Sequence, residues 1–310
     1  MKYVITTLAV ILAALLGVIA SSCGVGRGAE SAGPVPTAEP SGDVAGTTAG
    51  TEATGSGQTG VSSNSTGSTG LVTYQVWFTR DESLFMVTRT QQATRRIGSA
   101  ALEALLAGPD TREQAAAVGS QIPSGTQLLG LSVDNAVATV DLTSEFESGG
   151  GSASMNMRIA QVVYTLTQFP TVKGVLFELD GRRVDVLGGE GVIVDQPVTR
   201  KDFRSLLPAI LVESPQIGER VGSPVTVSGS ANVFEANVSV EVVDASGKVV
   251  GSTFTTATCG TGCRGTFSVD VPYEVASATR GLIIVHDDDA AGTGTPPHEV
   301  RIPVLLTPSS

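Results

Sequence analysis

Apolar positions fall into three regimes along the chain. Val4 through Ala20 is an almost unbroken apolar run behind Lys2. From Gly24 to about Gly70 large apolar residues nearly vanish, and Gly, Ser, Thr and Ala take over with scattered prolines. From Val72 the apolar residues return with the periods of strands and helices. Val72-Thr-Tyr-Gln-Val-Trp-Phe78 alternates and is β-rich, and Leu84-Phe-Met-Val-Thr88 is a second strand after an Asp-Glu turn. Thr94 to Ala107 carries Ile97, Ala101, Leu102, Leu105 and Leu106 at helical spacing and stops at Gly108-Pro109. Asp110 with Glu113 three residues later marks the start of a short second helix. Thr126–Val133 and Ala136–Leu142 predict a hairpin turned at Asp134-Asn135. Met155, Ile159, Val162, Val163, Leu166 and Phe169 share a helical face ended by Pro170, and Val172–Leu179 is a further strand closed by Asp180-Gly181.

After about Gln196 helical periodicity disappears. Short strand-like runs follow at Ala209–Val212, Val225–Ser228, Val238–Val243, Val249–Thr255, Gly265–Val271, Leu282–His286 and Val300–Leu306, punctuated by Gly, Pro, Asp and Asn. Strands and helices in mixed order, then strands alone, predict an α+β N-terminal domain with a mixed sheet, followed by an all-β immunoglobulin-like sandwich. The boundaries expected are 71–196 and 209–310, with 197–208 as a short linker that limits relative motion.

The leading segment bears on the compartment. A charged start, an apolar run and a small-residue end read as a signal peptide over residues 1–22. The run is close to the length of a membrane span, so length alone does not decide. Ile19-Ala20-Ser21-Ser22-Cys23 resembles the lipobox of bacterial lipoproteins, although Ala20 stands where the strongest examples carry Leu. That resemblance implies cleavage before Cys23, acylation of its thiol and anchoring at the extracytoplasmic face of the membrane. Each buried methylene of the acyl chains would contribute about 0.8 kcal/mol. An ordinary signal peptide or an uncleaved anchor with an incidental cysteine is the alternative. The tract 23–70 cannot bury enough surface to offset ordering entropy, so it is expected to be a disordered tether, with an r.m.s. reach of about 35–40 Å.

Charge narrows the partners. With 19 Lys and Arg against 30 Asp and Glu, the net charge is −11. No basic footprint is present to displace counterions from phosphate, which excludes nucleic acid. Acidity also argues against electrostatic docking on anionic lipid, leaving the acyl chains to hold the protein at the membrane. Outside the cytoplasm, Cys259 and Cys263 in Cys-Gly-Thr-Gly-Cys read as a disulfide-closed loop. A zinc site there would need two further ligands, and His286 and His298 are the only histidines. No cofactor is expected.

Candidate chemistry is sparse. His286-Asp287-Asp288-Asp289 could gather oxygens for Ca²⁺, but no Asp-x-Asp-x-Asp-Gly series is present and a solvated acidic loop is the favoured reading. Asp141 and Glu145 are read as strand-edge and capping residues, and Glu235 as orienting a local hydrogen-bond network beside Phe234, a core candidate. Tyr74 and Trp77 are expected in the core, with an aromatic sugar platform as the alternative. No nucleophile elbow or Cys–His arrangement stands out in the folded part.

Two family resemblances emerge from the residues. Ala101-Leu-Glu-Ala-Leu-Leu-Ala-Gly-Pro109, Ile122-Pro-Ser-Gly-Thr126, Ala138-Thr-Val-Asp-Leu-Thr-Ser-Glu-Phe146, Tyr164-Thr-Leu-Thr-Gln-Phe-Pro170 and Phe177-Glu-Leu-Asp-Gly181 resemble the GerMN domain over about residues 72–190. Ser214-Pro215, Ser223-Pro-Val-Thr-Val-Ser-Gly229 and Ala231-Asn-Val-Phe-Glu-Ala-Asn-Val238 resemble the immunoglobulin-like domain of bacterial spore germination proteins over about 209–306. The resemblance implies a cell-surface lipoprotein of sporulation or germination type and supplies no catalytic motif. The expected function is a non-catalytic, membrane-anchored scaffold that binds envelope proteins, with cell-wall glycan binding as the alternative.

Overall fold

The computed structural model describes residues 70–287 and 298–309. The apolar leader, Cys23, the tract up to residue 69, and Asp288 and Asp289 lie outside the described residues.

The chain enters through a long hairpin, β1 (Leu71–Arg80) and β2 (Ser83–Gln92), paired without interruption from Leu71↔Gln92 to Arg80↔Ser83. Asp81 and Glu82 make the turn, both at positive φ (49° and 61°), the backbone of a turn that matches strand twist. Helices α1 (Ile97–Leu106) and α2 (Thr111–Ala115) follow. The α2 N-terminus carries the capping box read from Asp110 and Glu113: Asp110 Oδ1 accepts from Glu113 N at 2.8 Å, and Glu113 Oε2 accepts from Asp110 N at 2.8 Å.

β3 (Leu128–Asp134) and β4 (Val137–Leu142) form the expected hairpin. Its turn is Asn135-Ala136, both at positive φ, rather than Asp134-Asn135, because Asp134 still pairs with Val137. A short 3-10 turn (Ser144–Glu147) leads into α3 (Ser152–Leu166), which crosses over to β5 (Gly174–Leu179), parallel to β4. β6 (Arg182–Arg183) completes a four-stranded mixed sheet in the order β3-β4-β5-β6. Alternation on the sheet places Ala138, Val140, Leu142, Val175 and Phe177 in the core, with α1 and α3 packed together and against β1. A two-residue pair, β7 (Val186–Leu187) and β8 (Val192–Ile193), follows.

The C-terminal part is all β. β9 (Ile210–Ser214), β11 (Val225–Ala231) and β14 (Gly265–Val271) form a three-stranded sheet in the order β14-β11-β9. Facing it, β10 (Arg220–Val221), β12 (Asn237–Asp244), β13 (Val249–Thr256), β15 (Thr279–His286) and β16 (Glu299–Leu306) form a sheet in the order β10-β16-β15-β12-β13. The seven sequence-read strands are all present, and β10 is added as a two-residue parallel partner of β16. Buried Val227, Val238, Val240, Val242, Ile283, Val285 and Ile302 fill the sandwich. Buried Tyr273 ties one end together, its hydroxyl donating to Val221 O at 2.7 Å.

The described residues all belong to one compact unit. Its two parts are joined by direct hydrogen bonds. Arg80 Nη1 donates to Arg301 O at 2.9 Å, and Thr88 N donates to Gln216 Oε1 at 3.0 Å.

Candidate functional surfaces

The segment expected to be a linker is an ordered 3-10 element, Arg200–Leu206, started by Thr199 and Asp202 in a capping box. Its first residue is the centre of a polar–aromatic cluster. The Arg200 guanidinium lies 4.7 Å from the Tyr164 ring centre and 5.5 Å from that of Trp77, and the two rings are 4.8 Å apart. Arg200 Nε donates to Thr167 Oγ1 and Nη2 to Tyr164 O, both at 2.8 Å. Burial lowers the Arg200 pKa and raises that of the Tyr164 phenol. Arg264 closes the other side, reaching Pro208 O and Ser230 O. Arginine is suited to this role because its planar fork serves several carbonyls while its face stacks on rings.

Beside this cluster runs a groove of about 640 Å³. It is lined by Gln121, Ser154 and Asn156, by Asp202 and Phe203, and by Glu82 of the hairpin turn. The Ser154 hydroxyl donates to Gln121 Oε1 at 2.9 Å. A smaller cavity of about 190 Å³ lies between the hairpin tip and β9, walled by Leu84, Phe85 and Ile210.

Tyr74 and Trp77 are both buried and project to opposite faces of β1, so neither offers a sugar platform. Phe234, expected in the core, is 47% exposed. Its loop is held by the disulfide Cys259–Cys263: Thr261 N donates to Val233 O, Gly262 N to Asn232 Oδ1, and Glu235 N to Thr261 Oγ1. Glu235 and Ala236 are both at positive φ, a costly backbone for residues with side chains, which that neighbouring loop supports. Glu235 therefore takes part in a local network through its backbone amide.

Asp141 Oδ1 accepts from Gly181 N at 3.0 Å, fixing the β5–β6 turn. Glu145 is fully exposed, and a hydrogen bond with Thr143 lowers its pKa, the direction opposite to that of a general acid. His286 and His298 stand at adjacent strand ends. His298 Nδ1 lies 3.0 Å from Asp287 Oδ2, and His286 is paired across the strands with Glu299. Among the described residues no cluster of three or more metal-ligating side chains occurs. No helix among them is long and apolar enough to cross a membrane.

Comparison with known proteins agrees with this architecture. The family described as "Sporulation and spore germination" (Germane) matches residues 64–185. That described as "Immunoglobulin-like domain of bacterial spore germination" (Gmad2) matches residues 209–293. The chain carries a GerMN domain followed by a spore-germination immunoglobulin-like domain. Among solved structures, it is similar to the tandem GerMN domains of the sporulation protein GerM from Bacillus subtilis. The identity is 12%, covering 78% of this chain and 62% of that one, with a TM-score of 0.39. The chain thus spans less than two thirds of that protein's length. The first GerMN domain of the same protein is 20% identical over 42% of this chain and 99% of its own, with a TM-score of 0.36. A putative lipoprotein from Clostridium perfringens is 22% identical over 44% and 93%, with a TM-score of 0.33. Among curated proteins none matches. The residues that the sequence pattern did not single out are Arg200, the α3 residues Gln161 and Thr165, and Gln168 just after that helix. For Gln161, Thr165 and Gln168 the signal is polar side chains at a spacing of four and three among the apolar residues of the buried helical face.

Proposed function

We propose that this protein is a non-catalytic lipoprotein, anchored through Cys23 at the outer face of a bacterial membrane, whose paired domains bind other envelope proteins. The observation that carries the reading is the sequence itself. A lipobox-like Ile19-Ala20-Ser21-Ser22-Cys23 precedes a long Gly/Ser/Thr tract and then two domains of the spore-germination type. The hydrogen bonds Arg80–Arg301 and Thr88–Gln216 between the two parts support a scaffold, because two surfaces held at one angle can present a composite face to a partner. Neither matched family description names a reaction. A second reading, binding of cell-wall glycan, has the groove beside α3 as its support, since amides, hydroxyls and carboxylates are the groups that meet sugar hydroxyls.

Crosslinking on intact cells with a tagged copy, followed by membrane capture and mass spectrometry, tests the proposal, with Cys23→Ala as the control. Recovery of one specific envelope protein, reduced in the control, is the expected result. Recovery of wall fragments without protein moves the function to glycan. Unchanged membrane association of Cys23→Ala overturns the lipid anchor.

A further inference from the structure

Strand edges carry unmet backbone groups, and proteins blunt them by short length, charge, proline, bulges or cover. Most edges here follow that rule. β1 is covered by side chains of α3 and by Gln168 just after it. β3 is bulged between Leu128 and Gly130, β6 is two arginines, β10 is two residues long, and β14 carries Asp270. β13 departs from it. It closes the five-stranded sheet, pairing only with β12 among the described residues. Its register shift is confined to its start, where Val242 faces Gly251 and Val243 faces Val249. From Gly251 to Thr256 the strand is regular, and Gly-Ser-Thr-Phe-Thr-Thr contains neither charge nor proline. Thr and Phe are strong strand formers. Ser252, Phe254 and Thr256 face outward and are exposed, Phe254 to 71%.

We propose that β13 pairs with β13 of a second copy of this chain, antiparallel about a two-fold axis at Phe254, joining two five-stranded sheets into one. Charge directs a second copy to this edge. The chain carries −11 overall, so two copies repel through most of their surface. The edge Gly251–Thr256 is a long stretch that brings no carboxylate of its own. Register decides the axis. With Phe254 opposite Phe254 of the second copy, Ser252 faces Thr256, and the β12 pairing extends each row inward. One row reads Ser239, Phe254, Phe254, Ser239. The next reads Glu241, Ser252, Thr256, Asn237. No row sets two carboxylates side by side, and the aromatic rings form a cross-strand pair. Such an edge buries less than the ~1,200 Å² of a stable complex, so the dimer is weak and concentration-dependent.

Sedimentation velocity of the full chain across a wide concentration range, with variants on the outward face, tests this. Opposed residues on paired strands bring their Cβ atoms to about 4.5–5.5 Å. Under mild oxidation Phe254→Cys is therefore expected to form an interchain disulfide well above the wild-type background. Thr256→Cys and Ser252→Cys alone are expected not to, whereas the two mixed together crosslink. Phe254→Lys, at an exposed position and with an unchanged unfolding midpoint, is expected to abolish the dimer. Three results overturn the proposal. One is a wild-type chain that sediments as monomer throughout. Another is a Phe254→Cys that crosslinks no better than Thr256→Cys alone. The third is a Phe254→Cys captured by a different protein in preference to its own copy.

Discussion

Gln168 holds the main chain of Gln75 by both ends of its amide. Its Oε1 accepts from Gln75 N and its Nε2 donates to Gln75 O, each at 2.7 Å. Gln168 follows the end of α3, and within that helix Gln161 Nε2 donates to Trp77 O at 3.1 Å and Thr165 Oγ1 accepts from Trp77 N at 3.1 Å. These residues recur at helical spacing on one stripe. A helix thus supplies to the free edge of β1 the donors and acceptors that a neighbouring strand would. Replacing Gln168 by Leu leaves the Gln75 amide and carbonyl unmet at a half-buried edge, a loss of about 1–3 kcal/mol. Urea unfolding combined with amide exchange at Gln75 checks this. Wild-type stability with unchanged exchange would remove α3 as the partner of that edge.

Much of this fold is legible in the sequence because the apolar period is strong. The α3 core face, from Met155 to Leu166, and the alternating Val238, Val240 and Val242 need no partner to be recognised. Polar cover is harder to read. Gln161 and Thr165 are fully buried, yet their identity follows from where β1 comes to lie, a non-local fact. Tyr74 and Trp77 show the same limit. Alternation predicts one buried face, but Val76, Trp77, Phe78 and Thr79 are all buried, because the hairpin is covered on both sides. Phe234 errs in the other direction, since an apolar residue in a turn is displayed by the loop that holds it. Arg200 was hidden in a segment read as a linker, because cation–aromatic packing leaves no periodic trace.

Arg89 and Glu113 form a two-pronged pair, Nη1 to Oε1 at 2.6 Å and Nη2 to Oε2 at 2.7 Å. Glu113 is buried and also caps α2, so removing either partner unsettles both the pair and the cap. Glu113→Gln or Arg89→Met is expected to cost about 3 kcal/mol, the lower end of the range for breaking a buried pair, because Arg89 is partly exposed. The hydrogen bond to Glu113 raises the Arg89 pKa. A raised pKa gives stability that is fully present below the ordinary arginine value and lost only above it. The wild-type-to-Met difference should therefore be flat across neutral pH, as chemical unfolding at several pH values will show.

Asp244 responds to acid. Its Oδ1 accepts from Ser246 N at 2.8 Å, Ser246 Oγ at 2.6 Å and Lys248 N at 3.1 Å, closing the turn between β12 and β13. The Ser246 hydroxyl, followed by the Lys248 amide, lowers the pKa of this exposed carboxyl. A lowered carboxyl pKa contributes stability above the unfolded value, about 3.9, and loses it as pH falls through the folded one. Exchange protection of the Ser246 and Lys248 amides should fall below that pH in the wild type and be low at every pH in Asp244→Ala. Protection that survives in Asp244→Ala would show that the turn closes without its carboxylate.

The disulfide fixes the loop that displays Phe234. Cys259–Cys263 closes a short ring whose members Thr261 and Gly262 bond to Val233 and Asn232. Gly260 packs so closely on Ala236 that a Cβ there would lie 2.4 Å from its amide nitrogen. Replacing both cysteines by serine releases chain entropy in the unfolded state worth about 2 kcal/mol for so short a ring. For a folded part of this size that corresponds to a fall in Tm of about 4–8 °C. Residues 232–236 should also lose exchange protection before the rest of the sandwich, since Glu235 and Ala236 keep their left-handed backbone only while the neighbouring loop is in place. Calorimetry and hydrogen exchange on the double variant measure both effects. A fall in Tm with residues 232–236 as protected as before would make the disulfide a general brace with no part in presenting Phe234.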